Sequence, residues 1–335
     1  MILPRVQDAA EQGLPSQARE VIAYAIAATL LSAIIVSLRF YTRGVLLRVL
    51  GLEDCFIGLS MLCSIGNAIG MCFQANTALG RPIQSLSNQV KQLFFKEVYF
   101  TIICYNTGIS LVKLSILLLY LRVFTPVFIR KSSYAVLVAV ILNSLWIVLS
   151  SIFFCVPVAR YWDRTIHGSC LPLEPRWITG AAFNIASDFA ILVLPLSVVR
   201  RLRIPRRQKV GLYLVFTLGF FVCVVSVVRL PFLISAAKSK DPTGDNPSVA
   251  KWSTIELNTA IICACLTTLK PLLMHIFPSL FTPSSAHVHI NGSHSAEQNP
   301  PSIGGSGGAN QQARRDVTYA SSLPDDHLEL SQHMG

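Results

Sequence analysis

Ionisable side chains standing inside apolar runs are where this 335-residue chain could do chemistry. Lys113 interrupts a run at about 98–121, Asp188 stands within about 177–199, and Arg229 within about 212–236. Asn184 precedes Asp188 by one helical turn, Glu256 opens a run at about 255–277, and Lys270 lies near the far end of that run. An isolated charge in a hydrocarbon layer costs at least about 2.5–3.5 kcal/mol, so such residues are kept for pairing or for function. Opposed charges inside a helical bundle can hold the polar end of a small molecule, relay a proton or fix helix register.

Depth along each helix, at about 1.5 Å per residue, suggests which charges could meet. Asp54 and Lys113 both fall toward the inner face and are expected to form a structural pair there. Arg229 and Glu256 fall at similar depth in the outer half and could bridge the sixth and seventh runs. Asn184, Asp188, Arg229 and Glu256 are the candidate contacts of a ligand pocket. The plainer alternative is that these pairs only set register, or that the cations extend outward without a partner. Lys270 invites comparison with a retinal Schiff base, but it directly precedes Pro271 and is near enough to the inner end to reach water.

No Gly-rich phosphate loop, HExxH or GxSxG constellation occurs, so a soluble-type enzyme is not expected. Carboxylates in a bundle can still do acid–base work, which leaves a membrane enzyme as a minor alternative. The nine cysteines include no CxxC pair, and neither a metal site nor a cofactor is expected. Cys155 and Cys170 flank VPVARYWDRTIHGS in an outer link, where an oxidising compartment permits a disulfide. Closing that loop would contribute very roughly 3 kcal/mol. Cys104–Cys170 is the competing connectivity, and spacing does not choose between them.

The elements that must position these residues are membrane helices. Charged residues make up 13% of the chain and mean hydropathy is +0.54, too little charge for a soluble surface of this size. Seven runs reach the length of about 20 apolar residues that a bilayer needs, beginning near 21, 55, 98, 134, 177, 212 and 255. The fold class is therefore an all-α membrane protein, a seven-transmembrane-helix bundle over 21–277. An extracellular tail over 1–20 precedes it, and a disordered cytoplasmic tail over 278–335, rich in Ser, Gly, Pro and His, follows.

The +11 net charge is clustered rather than spread. Arg39, Arg43 and Arg48 lie in the first link, Arg122, Arg130 and Lys131 in the third. Arg200, Arg201, Arg203, Arg206, Arg207 and Lys209 lie in the fifth. These alternate links share one side, and the positive-inside rule makes it cytoplasmic, with the N-terminus outside. The fifth link could also meet anionic lipid or dock a cytoplasmic partner. Nucleic acid is not an expected partner. The Asn291-Gly-Ser sequon lies in the inner tail, so glycosylation at Asn291 would reverse the orientation.

Several segments in order resemble the fungal rhodopsin-like seven-helix membrane proteins. RFYTR at 39–43 and GLED at 51–54 place Asp54 at the acidic position opening helix two. LVKLSILLLYLRVF at 111–124, FFCVPVARYWDRTIHGSC at 153–170 and NIASDFAILVLPLSVV at 184–199 follow, then Gly219, Arg229, Trp252 and Glu256. The chain departs from the family pattern after helix two, where ALGRPIQ carries Pro82 in place of a His, and at TTLKPL in helix seven. The family includes the satratoxin-cluster membrane protein and resembles fungal surface-sensing receptors. The resemblance implies a receptor-like membrane protein tied to secondary metabolism, without implying bound retinal or naming a reaction. A metabolite exporter or a non-catalytic accessory protein of a biosynthetic cluster is the alternative.

Overall fold

The computed structural model describes residues 16–123, 127–201, 206–238 and 242–268, all within the Met1–Pro283 unit of the chain. The expected tail over 278–335, Asn291, Lys270 and Arg203 lie outside the described residues. So do the side chains of Arg200, Arg201, Arg206, Arg207 and Lys209. Among the described residues, seven helices are long and apolar enough to cross a membrane. In chain order they are α1 Ser16–Phe40, α2 Leu52–Thr77, α3 Asn88–Val123, α4 Val127–Ile152, α5 Leu173–Arg201, α6 Arg206–Lys238 and α7 Pro242–Leu266. A π-helical turn, Tyr41–Leu46, extends α1, and a two-residue ladder joins β1 (Cys155–Val156) to β2 (Ser169–Cys170) between α4 and α5.

Consecutive helices pack side by side and α1 closes the ring on α7. α3 touches α2, α4, α5 and α7, and α7 touches α1, α2, α3 and α6. The short links alternate between two ends of the bundle. One end carries the 153–172 link and is called the loop end below.

The bundle is polar within and apolar without. Ser32, Ser60, Ser64 and Asn67 are all 0% exposed, while Ile34 (66%), Leu62 (64%), Leu142 (62%) and Trp146 (63%) face outward. Water would disfavour so much exposed apolar surface, whereas lipid tails do not. Small residues let the helices approach. A Cβ at Gly70 would lie 2.4 Å from Thr101 Cγ2, so α2 and α3 can be this close only with glycine there.

Several expected ends shift. α1 begins at Ser16, inside the stretch read as an N-terminal tail. α3 begins ten residues earlier than its apolar run, and α7 begins at Pro242 rather than near 255. In both, the first turns are polar (NQVKQ and PTGDNPSVAKWST), so a hydropathy reading starts late. α4 stops at Ile152 because residues 155–156 are taken up by the ladder with 169–170.

Candidate functional site

Helical spacing sets the site. Asn184, Ser187 and Asp188 share one face of α5, Ser226 and Arg229 share one face of α6, and Tyr105 and Lys113 lie eight residues apart on α3. Lys113 Nζ reaches Asp188 Oδ1 at 2.9 Å, and also Asn184 Oδ1 at 2.7 Å, Asn184 O at 2.8 Å and Ser187 Oγ at 2.6 Å. Four acceptors thus surround an ammonium with three protons. Ser226 Oγ lies 2.9 Å from Asp188 Oδ2 and 2.7 Å from Glu256 Oε1, so its single proton is shared between the two carboxylates. Glu256, 0% exposed, also accepts from Asn184 Nδ2 (2.8 Å), Tyr105 Oη (2.7 Å) and Arg229 Nη1 (2.7 Å). Arg229 also donates to the Tyr105 hydroxyl.

The result is one continuous network, Lys113–Asp188–Ser226–Glu256–Arg229–Tyr105, crossing α3, α5, α6 and α7. Two cations answer two carboxylates. The low dielectric of a bundle interior makes each of these bonds strong and any broken one costly.

A cavity of about 120 Å³ opens toward the loop end beside this network. Asn184, Lys113, Arg229 and Tyr105 form part of its wall. Arg176 and Trp177 from the start of α5, Tyr99 and Asn106 from α3, and Phe154 and Tyr161 from the loop form its mouth. A second cavity of about 50 Å³ lies on the other side of the network, bounded by Lys113, Asp188 and Tyr120.

The loop that covers the mouth is tied down locally. Cys155 and Cys170 are disulfide-bonded, and they face each other in the β1–β2 register. Cys104, the alternative partner, is a free thiol. A Cβ at Gly168 would sit 2.3 Å from the Val156 carbonyl oxygen, so the return strand needs glycine to pass. Tyr161 packs edge-on against Phe154 and near Tyr99, with ring centroids 5.7 and 5.3 Å apart, and burial pushes its phenol above the usual range. Asp163 accepts from the Thr165 hydroxyl at 2.7 Å and amide at 3.1 Å, which holds its carboxyl below the usual value.

Against the sequence expectations, the candidates divide. Arg229 and Glu256 pair as expected, and Asn184 and Arg229 line the larger cavity. Glu256 lines neither cavity. It stands behind Arg229 and Tyr105 as their counter-charge. Asp188 faces the smaller cavity.

The inner-face pair Asp54–Lys113 does not form. Asp54 Oδ1 accepts instead from Arg39 Nε and Arg43 Nη1, both at 2.9 Å. Glu53 Oε1 accepts from Arg43 at 2.7 Å and Arg122 at 2.6 Å. The error was in rotation rather than depth. Ser115 Oγ donates to the Glu53 carbonyl at 2.6 Å, so that face of α3 meets α2. Lys113 is two residues away, about 200° round the helix, and therefore points to α5.

Arg39, Arg43 and Arg122, read as orientation signals and as part of the family resemblance, are thus committed to a second ion cluster. The π-helical turn after Phe40 begins between Arg39 and Arg43, which still converge on one carboxylate oxygen. Sequence reasoning also passed over Arg176, Tyr105 and Ser226. Arg176 is one of three arginines between the fourth and fifth apolar runs, with Arg160 and Arg164, so the sequence did not single it out. A hydroxyl among many in apolar helices gives no mark either.

Comparison with known proteins agrees with this architecture. Over 179 residues the chain is 35% identical to a protein of Emericella nidulans named SAT4 family membrane protein, covering 52% of this chain and 45% of the relative. It is 27% identical over 265 residues to the polyenoic acids biosynthesis gene cluster protein Ba17b of Metarhizium anisopliae, covering 74% and 72%. It is 27% identical over 201 residues to receptor GIN3 of Arthrobotrys oligospora, covering 58% and 47%. The chain thus spans about half the length of the first and third relatives. The model of the fungal rhodopsin domain matches residues 38–275, from the C-terminal end of α1 to beyond the last residue of α7. The chain is a membrane protein that belongs to the fungal rhodopsin domain family.

Proposed function

We propose that this protein is receptor-like, taking a small molecule into the loop-end cavity and passing the event through its buried charge network. The observation that carries this reading is adjacency: Asn184, Lys113, Arg229 and Tyr105 belong at once to the cavity wall and to the network across four helices. A ligand that bonds to any of them competes with bonds that hold α3, α5, α6 and α7 together, so it favours one arrangement over another. In this reading the loop end and N-terminus lie outside. The basic link 200–209 lies inside, where it meets anionic lipid and a cytoplasmic partner. In this reading the buried carboxylates serve as counter-charges rather than as an acid–base pair, and the protein is not an enzyme. The relative named as a receptor supports this reading.

The names of the cluster relatives favour a second reading, an accessory or export protein of a metabolite pathway. Deletion in the native host, with transcript and metabolite profiles, separates the two. Sensing predicts a lost transcriptional response, restored by the unaltered gene but not by Asn184→Leu at equal membrane abundance. Intracellular build-up of a metabolite with the response intact would favour export, and full rescue by Asn184→Leu would sink the receptor reading.

A further inference from the structure

The wall of the larger cavity is unbalanced in charge. Its lining includes Lys113, Arg176 and Arg229 and no aspartate or glutamate. Two of these cations are answered from behind the wall, Lys113 by Asp188 at 2.9 Å and Arg229 by Glu256 at 2.7 Å. Arg176 forms no ion pair among the described residues. Glu174, near it in sequence, lies about 200° round the helix, and its own carboxylate is 3.6 Å from Lys238.

Arg176 is nevertheless held in place. Its Nη2 donates to the Ile147 carbonyl at 3.0 Å and to Ser151 Oγ at 2.7 Å, neutral acceptors that orient the guanidinium without neutralising it. Its Nε is buried with no hydrogen-bond partner, and so is the Nε of Arg229 across the same cavity. A tie between α5 and α4 would explain the Nη2 bonds but needs no charge and leaves the Nε open. Buried charged donors without acceptors are costly, and a low-dielectric cleft with surplus positive charge concentrates anions. A guanidinium fork suits a carboxylate better than a point-like anion. Ile102, Ile147, Trp177 and Leu233 give the rest of the wall apolar surface for the body of such a molecule.

Resting on the ligand-cavity reading above, we propose that the ligand is a small apolar compound bearing a carboxylate, and that Arg176 binds the carboxylate. The test uses the full chain in lipid nanodiscs, with benzoate, trans-cinnamate and octanoate each paired with its uncharged primary amide. Binding is followed by thermal shift and by saturation-transfer NMR. At least one acid should bind about tenfold to a hundredfold tighter than its amide, the range for a charge-assisted bond. Arg176→Gln should erase that preference while leaving amide binding unchanged, and Arg176→Lys should retain part of it. The lysine variant also guards against a glutamine variant that fails to fold. Equal binding of acids and amides, or a preference that survives Arg176→Gln, overturns the carboxylate assignment and leaves the cavity reading standing. Binding of no compound by a folded chain overturns both.

Discussion

At the scale of single residues, the buried ion pairs among the described residues fall into two separate groups. Glu256 is wholly buried and receives bonds from Tyr105, Asn184, Ser226 and Arg229. Glu256→Gln should therefore lower stability by about 3–5 kcal/mol, because Arg229 is left buried without its counter-charge. Thermal unfolding in detergent measures this, and Arg229→Gln combined with Glu256→Gln should lose less than the sum of the two single changes. The same double-mutant design tests the corrected partner of Lys113. Coupling should appear between Lys113→Met and Asp188→Asn, which are 2.9 Å apart in the native pair, and not between Lys113→Met and Asp54→Asn. Arg122 behaves differently, being 41% exposed at the edge of the cluster around Glu53 and Asp54. Arg122→Ala should cost no more than about 1 kcal/mol, as a solvent-screened pair does.

At the scale of elements, close approach and rotation decide the site. α2 and α3 meet through Gly70 and Gly108, where Ser60 Oγ donates to the Gly108 carbonyl at 3.0 Å. Gly70→Val should push these helices apart and cost about 1–3 kcal/mol, since Thr101 is a short side chain that cannot swing far. A folded Gly70→Val protein with an unshifted thermal transition would contradict the close-packed contact. The existence of each helix was legible as an apolar run of sufficient length. The ends were less so, because α3 and α7 extend into polar turns that hydropathy ignores. Rotation was hardest to read, because these membrane helices carry apolar residues on most of their faces and so give no clear amphipathic stripe. Lys113 illustrates this, having sound depth and the wrong partner.

At the scale of the whole molecule, the loop end and the opposite end play different parts. The Cys155–Cys170 bridge holds the link over the cavity mouth and closes a separation of 15 residues. Cys155→Ser with Cys170→Ser should lower stability by about 3 kcal/mol in the chain-entropy picture. It should also raise protease sensitivity between 157 and 169 while leaving the helical circular dichroism unchanged. The proposed orientation makes an independent prediction. A short epitope inserted at 164–166 should be reached by antibody on intact cells, and one inserted at 203–205 only after permeabilisation. The reverse pattern would invert the topology and place the cavity mouth on the cytoplasmic side.

The sequence alone determined that the chain lives in a membrane, that seven segments cross it, and which rare ionisable residues lie at depth. Those conclusions follow from composition and length, which the bilayer constrains directly. It also allowed a pairing of Arg229 with Glu256, because the two lie at similar depth on consecutive helices, and the structure forms that pair. Only the tertiary structure decided that Lys113 answers Asp188, that Asp54 answers Arg39 and Arg43, and that Arg176 stands at the cavity with no carboxylate partner among the described residues. Each of those outcomes depends on which way a helix face turns. One residue changes that direction by about 100° while moving depth by about 1.5 Å, so depth survives small errors of register and facing does not.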